Sequence, residues 1–231
     1  RARFPDDWLA IKIWVFSRVA LFLVVYEASW MIGPFDGPLT SIASQWNHWD
    51  GLWYLKIAEQ GYEPPSTAFL PLFPMAMRWI GAIGIGPVYA ALLLNFLAGT
   101  VAAVLLSRIA RKWGYEGNWA VIALATAPMT VFMSAPYTES VFLALALGSW
   151  LSALNRRYIL MGVLISLTCL TRINGVFVVI ALAVLLLQRS KSWKPLVGLL
   201  PALMVTIGWM AYLHTFRGDW FEWLTAQREN W

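Results

Sequence analysis

Charged residues are scarce in this chain, and their scarcity decides its class. Only 13% of the 231 residues are Asp, Glu, Lys or Arg, whereas 60% are hydrophobic and the mean hydropathy is +0.63. Because a soluble domain carries about 25% charged residues, this chain has too few charges to cover a water-facing surface. The composition therefore predicts an integral membrane protein, and its fifteen tryptophans fit one, since indole rings settle at the membrane–water boundary.

Cysteine and histidine are also rare, which excludes other kinds of site. The single Cys169 cannot form an intrachain disulfide, and two histidines without ligand spacing give no metal site. We therefore expect neither a metal nor a cofactor. The net charge of +5 comes from short basic clusters between apolar runs, and this placement argues against a nucleic-acid partner.

Long apolar runs are what the chain does contain. A hydrocarbon core ~30 Å thick needs roughly 20 helical residues. Runs near that length occupy residues 8–32, 87–107, 119–135, 137–154 and 195–216. A further run, 158–187, would be about 45 Å long as one helix, too long for one span and short for two. The polar segment 171–175 interrupts it.

The distribution of basic residues decides how the run 158–187 is interpreted. Lys and Arg accumulate in cytoplasmic loops. Two crossings put eleven basic residues inside and five outside, whereas a single crossing moves the cluster 189–194 outward and weakens the bias. We therefore predict an all-α, polytopic single domain over residues 1–231, with about seven transmembrane helices and an inner N-terminus.

The largest loop of this topology, at about residues 33–86, lies on the outer side. It is predicted to carry short helices over 50–60 and 75–84, the first with Trp49, Leu52, Trp53 and Ile57 on a face suited to the membrane interface. The turns 134–140 and 171–175 and the tail 214–231 lie on the same side, whereas the inner loops are short and basic. The function is therefore expected to face outward.

Asp50 is the first candidate for chemistry. It follows His48 and Trp49 in a loop crowded with aromatic rings at the membrane surface. Two interpretations stand near parity. The carboxylate is either a general base that takes a proton from an acceptor hydroxyl or a helix N-cap, where Asp is favoured.

Polar side chains in the other outer turns each have a functional and a structural interpretation. Arg172 can hold two phosphate oxygens, or snorkel at a helix end. Glu139 can orient a sugar hydroxyl or pair with Arg172, or favour a helix N-terminus by its charge. Tyr137 can stack on a sugar or anchor in the interface, and Asn174 can bind sugar or cap the next helix. Within the first span, Arg18 is expected to pair with another helix.

An ordered set of motifs resembles one family. The motifs are Trp49-Asp50-Gly51, Gly61-Tyr62, the runs 68–74, 134–140 and 171–175, Gly218-Asp219, and the segment 226–231. The set is similar to PIG-V-type mannosyltransferases within the GT-C glycosyltransferases, a family that includes the second mannosyltransferase of glycosylphosphatidylinositol-anchor synthesis and bacterial relatives.

The resemblance implies a multi-span enzyme that takes a hexose, usually mannose, from a polyprenyl-phosphate donor. It also implies a catalytic acidic residue in the first outer loop, which maps onto Asp50. Arg172 and His48 are then expected to bind the donor phosphate, and the substrate-binding residues are expected to be Glu139, Tyr137, Asn174, Trp49 and Tyr62. Family members usually continue through further spans, so we expect this chain to be truncated at its C-terminus.

Our leading hypothesis is an inverting glycosyltransferase that acts on a lipid-linked or surface glycan acceptor among membrane lipids. No Asp-x-Asp motif lies on the outer side, which disfavours a soluble nucleotide-sugar donor. The alternatives are a multi-span transporter and a non-catalytic lipid-handling subunit, although transporters usually carry repeats that this sequence does not show. A bacterial plasma membrane is favoured, or the endoplasmic reticulum if the source is eukaryotic.

Overall fold

The described part of the chain is built from helices. The computed structural model describes residues 4–32, 45–190 and 192–230, and these ranges contain no strand. The α-helices are α1 Phe4–Ile32, α2 Asp50–Gln60, α3 Leu72–Gly81, α4 Pro87–Lys112, α5 Gly117–Thr126, α6 Glu139–Leu154, α7 Tyr158–Cys169, α8 Gly175–Arg189, α9 Leu200–Arg217 and α10 Glu222–Asn230. Short 3₁₀ helices cover Ser66–Ala68, Pro128–Met133 and Lys194–Leu199.

Helix lengths confirm the class predicted from composition. Among the residues that the structure describes, three helical segments are long and apolar enough to cross a membrane, namely Asp7–Met31, Pro87–Lys112 and Lys194–Arg217. Four shorter helices, α5 to α8, are also apolar. The protein is thus an all-α membrane protein, with a helix in each of the segments expected to cross.

The predicted span 119–135 is not one α-helix. Helix α5 ends at Thr126 and continues as the 3₁₀ helix Pro128–Met133. Pro128 has no N–H to donate, and it keeps Ala127 in an extended conformation (φ −63°, ψ 132°). Hydrophobicity alone indicates an uninterrupted span here, because it does not register the proline.

Arg18 of α1 satisfies the backbone groups that this break releases. Its side chain is almost fully buried. The guanidinium donates hydrogen bonds to the carbonyls of Ala125 (2.9 Å) and Thr130 (2.8 Å) and to the hydroxyl of Ser134 (3.4 Å). Arg18 therefore ties α1 to the α5 segment, as expected for a charge that pairs with another helix.

The run 158–187 forms two helices, as predicted. Gly175, the first residue of α8, lies so close to the end of α7 that a Cβ there would be 2.7 Å from the Cα of Cys169. Arg172, in the turn between them, forms an ion pair with Glu139 at the start of α6. At the other end of α8, Arg189 lies 5.8 Å from the Trp113 ring that follows α4. The turn and the end of α8 therefore lie at opposite ends of the bundle.

The helix bundle has two ends, each identified by one residue. The Asp50 end holds the start of α2, the turn 134–140 and the turn at Arg172. It is joined by a hydrogen bond from the Tyr137 hydroxyl to the His48 carbonyl (3.0 Å). The Asp7 end holds the start of α1 and the end of α4, which are joined by ion pairs of Asp7 with Arg108 and Arg111.

The loop helices match their predicted places, but one predicted face is wrong. Helix α2 has the predicted bounds, and α3 begins three residues before the predicted start because Pro74 is tolerated in a first turn, where N–H groups have no intrahelical partner. Ile57 is fully buried, whereas Trp49 and Leu52 are 74% and 53% exposed. Ile57 therefore faces the protein and not the interface.

The turn between α7 and α8 should depend on Gly175. In Gly175→Ala the new methyl group would overlap the backbone of α7, so we expect a loss of about 1–3 kcal/mol of stability from overpacking. Thermal unfolding in detergent measures it. Gly208→Ala is the matched control, because a Cβ at Gly208 in α9 has nothing within 4 Å. Equal melting temperatures of the two variants would contradict the close approach.

Candidate active site

The turn 134–140 is held from the side of α4 as well as from α1. Asn95 of α4 is fully buried, and its amide donates to the carbonyls of Ala135 and Tyr137, the latter at 2.8 Å. Hydrogen bonds from Arg18 and Asn95 thus fix the backbone that leads into α6. Glu139, the first residue of α6, is positioned by this arrangement.

The start of α2 brings Asp50 close to that turn. Trp49 occupies the N-cap position with a positive φ of 46°, and Asp50 is the first helical residue. The N-cap interpretation of Asp50 is therefore wrong, since the position belongs to Trp49. Gly51 leaves room for the Asn47 side chain, because a Cβ there would lie 2.6 Å from its amide oxygen, and the helix contacts the Pro136 carbonyl of the turn at ordinary van der Waals distance.

A cavity of about 210 Å³ opens beside Asp50. Its walls come from α2, the segment that contains the 3₁₀ helix Ser66–Ala68, the turn between α7 and α8, and α10. They are Asp50, Tyr54, Ala68, Phe69, Leu70, Thr171, Arg172, Ile173, Asn174, Trp223 and Gln227. The structure thus brings together Asp50, Arg172 and Asn174, which sequence reasoning selected separately. The cavity is smaller than the ~300–1,000 Å³ typical of sites for whole small ligands.

Arg172 and Glu139 form an ion pair next to this cavity. The Arg172 Nη1 donates to Glu139 Oε1, with the side chains 38% and 32% exposed. Glu139 Oε2 is buried and has no hydrogen-bond partner within the part of the chain that the structure describes. This pair confirms one interpretation of Glu139. Because guanidinium has five N–H groups, the pair leaves further donors of Arg172 for a ligand.

Asp50 is electrostatically coupled to this pair. Burial raises the pKa of Asp50 above its ordinary value, the positive charge of Arg172 opposes that rise, and the negative charge of Glu139 adds to it. A carboxylate with a raised pKa accepts a proton more readily than a solvated one. The arrangement has the features required of a base.

Tyr54 is a site residue that sequence reasoning missed. It lies one helical turn after Asp50, lines the cavity and is hydrogen-bonded to Thr138. Burial raises its pKa above the usual range for tyrosine, so the phenol stays neutral and keeps its proton. Its signal was present in the sequence, because positions 50 and 54 share one face of an α-helix.

Other predicted residues lie at the Asp50 end but not on the cavity wall. The Tyr137 hydroxyl donates its hydrogen bond to the His48 carbonyl, and burial raises the pKa of Tyr137 to about 12. The exposed rings of His48 and Trp49 lie 5.9 Å apart. Tyr62 packs edge-on against Trp209 of α9, with ring centroids 5.0 Å apart.

Helix α10 supplies the second group that sequence reasoning missed. Trp223 and Gln227 both line the cavity. The sequence motif at 226–231 contains Gln227, but no motif pointed to Trp223. The fully buried Glu222, the first residue of α10, accepts a hydrogen bond from the Thr67 hydroxyl (3.0 Å). The Arg217 Nε lies 3.6 Å from the same carboxylate, and both contacts hold α10 in place. Within the described ranges, no group of three or more His, Cys, Asp or Glu residues is arranged to hold a metal ion.

Fold and site together define an all-α membrane protein with a carboxylate–arginine site at one end of its bundle. The family model for mannosyltransferase (PIG-V) matches residues 39–196, more than half of the chain. The chain therefore belongs to the PIG-V mannosyltransferase family, as its motifs indicated. The matched region includes Asp50, Glu139 and Arg172, whereas α10 lies beyond it.

Two curated relatives agree with this membership. The chain is 28% identical over 212 residues to GPI mannosyltransferase 2 of Drosophila melanogaster, covering 82% of this chain and 46% of that protein. It is 27% identical over 186 residues to GPI alpha-1,6-mannosyltransferase 2 of Mus musculus, covering 70% and 37%. The chain thus spans less than half the length of these relatives. No solved structure matches it.

The coupling between Asp50 and the ion pair predicts opposite shifts in two variants. Glu139→Gln removes a negative charge and should lower the pKa of Asp50, whereas Arg172→Gln removes a positive charge and should raise it. The carboxyl band of Asp50 in pH-dependent infrared difference spectra, assigned by its loss in Asp50→Asn, measures both.

Glu229→Gln is the control for this titration. Glu229 also pairs with an arginine, Arg217 (2.8 Å), but does not act on Asp50 in the structure. The pKa of Asp50 should not change in this variant. A pKa that is the same in all three variants would show that Asp50 is not coupled to the Arg172–Glu139 pair.

Proposed function

We propose that this chain carries the active site of a membrane mannosyltransferase that uses a polyprenyl-phosphate-linked mannose as donor and inverts the sugar. The acceptor is a lipid-linked or surface glycan. One observation carries the proposal, namely that Asp50 and Arg172, more than a hundred residues apart in the chain, line one cavity. Family membership and the names of the two relatives support mannose as the sugar.

Asp50 acts as the general base in this proposal. As the acceptor oxygen forms its bond to the anomeric carbon, Asp50 takes the hydroxyl proton. The bond from the anomeric carbon to the phosphate oxygen breaks, and polyprenyl phosphate leaves with the electron pair. Attack opposite the leaving phosphate inverts the configuration, and it requires the base and the phosphate to lie on opposite sides of the sugar.

Arg172 binds the donor phosphate and stabilises the charge that the leaving group gains. A guanidinium suits this role because it contacts two phosphate oxygens at once and stays protonated. Glu139 orients Arg172 through their ion pair. Asn174, with Trp223 and Gln227 of α10, contacts sugar hydroxyls within the cavity. His48 and Trp49 are exposed beside the cavity, so we assign them contacts with substrate before it enters. Tyr137 and Tyr62 pack against other parts of the protein, and we assign them a supporting role behind the site.

The proposed location is a bacterial plasma membrane, or the endoplasmic reticulum if the source is eukaryotic, with the Asp50 end on the outer or luminal side. The basic bias in the sequence supports this orientation, because the Asp7 end carries the larger share of Lys and Arg. A donor with its prenyl chain in the bilayer then presents its phosphate at the depth of the Arg172 turn.

Asp50→Asn tests the base directly. The variant keeps the size of the side chain and removes the proton acceptor, so transfer of labelled mannose from polyprenyl phosphate should fall about 10²–10⁴-fold. Expression and melting temperature should not change. Glu59→Gln is the matched control, because it also removes one carboxylate from α2 but at an exposed position near the other end of the helix. Near-normal turnover in Asp50→Asn would remove Asp50 from the chemistry.

Arg172 is tested through donor affinity. Arg172→Lys keeps the charge but loses the two-pronged contact, so donor binding should weaken, and it should weaken further in Arg172→Ala. Acceptor affinity should not change, because the acceptor approaches from the side of Asp50. Arg78→Lys, the same exchange at an exposed arginine of α3 that does not line the cavity, serves as control. Unchanged donor affinity in Arg172→Ala would be incompatible with this role, and equal weakening of donor and acceptor binding would indicate a misfolded turn.

A further inference from the structure

A second, larger cavity lies at the opposite end of the bundle from Asp50. Its volume is about 820 Å³, within the range of small-molecule sites. The lining residues come from α1, α4 and α6 and from the start of α7, and they are Asp7, Arg108, Arg111, Lys112, Leu151, Asn155 and Arg157. Four cationic side chains against one carboxylate leave three net positive charges on its described wall.

Asp7 gives this wall a fixed geometry. The residue is buried, and its carboxylate accepts hydrogen bonds from Arg108 Nε (3.1 Å) and Nη2 (2.6 Å) and from Arg111 Nη2 (2.8 Å). A buried carboxylate shared by two arginines holds both guanidiniums in one orientation. The Arg108 ion pair uses the Nε and Nη2 edge, so Nη1 remains outside it.

The start of α7 adds a further positive element to the cavity rim. Arg157 is the N-cap residue of α7, which has no side-chain capping bond. The first N–H groups of a helix have no intrahelical partner, and such ends attract anions. Together with the Arg157 and Lys112 side chains, this end favours a ligand that carries negative charge.

Exposed tryptophans place the cavity at the level of lipid headgroups. Trp8 of α1 and Trp113 after α4 are both exposed at the Asp7 end, and indole rings mark the membrane–water boundary. Basic pockets between membrane helices at this depth bind anionic headgroups.

We propose that the cavity at the Asp7 end binds the phosphate-bearing headgroup of an anionic phospholipid. Arg108 and Arg111, oriented by Asp7, contact the phosphate oxygens from one side. Lys112 and Arg157 contact them from the other side. The acyl chains remain in the surrounding bilayer. This site lies at the opposite end from the Asp50 cavity and does not depend on the transferase reaction.

Native mass spectrometry of the purified protein with phosphatidylglycerol and phosphatidylcholine tests this site. The protein should retain phosphatidylglycerol in preference to phosphatidylcholine. In Lys112→Gln/Arg157→Gln its affinity should fall about 25-fold, at about fivefold for each cationic side chain removed. Arg156→Gln/Arg189→Gln is the matched control. It removes the same charge from a neighbouring cavity at the same end and should retain the lipid.

Three outcomes would overturn the proposal. Equal retention of phosphatidylcholine and phosphatidylglycerol would show that the cavity does not select a lipid by its negative charge. Equal losses in the two double variants would show diffuse attraction instead of a cavity site. Inorganic phosphate that binds through Lys112 and Arg157, without retention of phosphatidylglycerol, would identify a free anion as the ligand. If the double variant unfolds, Arg157→Gln alone should show the fivefold loss, and Arg157→Lys should restore binding.

Discussion

The site depends on satisfying backbone carbonyls where no water can reach them. Pro128 interrupts the ladder of hydrogen bonds after α5, and an unsatisfied peptide group in lipid costs several kcal/mol. Arg18 donates to carbonyls on both sides of this break, and Asn95 donates to carbonyls of the turn that follows it. The same bonds position Glu139, and through Glu139 they orient Arg172. Two buried polar side chains therefore connect the stability of the bundle to the geometry of its cavity.

Asp50, Glu139 and Arg172 form a small group of coupled charges at the Asp50 end. Arg172 is paired with Glu139 and also acts on the half-buried Asp50, whose pKa burial raises. When a phosphate enters, it adds negative charge beside a cation that already has one partner. The ion pair thus sets how much of the Arg172 charge a ligand meets, so Glu139 influences both the orientation of Arg172 and the charge it offers a phosphate.

Sequence reasoning predicted the parts of this protein that follow from hydrophobicity and local motifs. The helical class, α2 and the break between α7 and α8 were all predicted, because apolar length and the polar segment 171–175 determine them. It did not predict that Pro128 ends α5 early or that Ile57 faces inward. Trp223 was missed because its place depends on how α10 folds back onto residues 66–68, a long-range contact that leaves no periodic signal.

The shortness of α7 and α8 has a consequence for the bilayer itself. At 1.5 Å per residue, their 12 and 15 residues extend about 18 and 22 Å, less than a hydrocarbon core of ~30 Å. A span of this length requires a thinner bilayer, flanking residues that snorkel, or association with other helices. Thinning beside α7 and α8 would bring lipid headgroups closer to the Arg172 turn than they lie beside the longer α4 and α9.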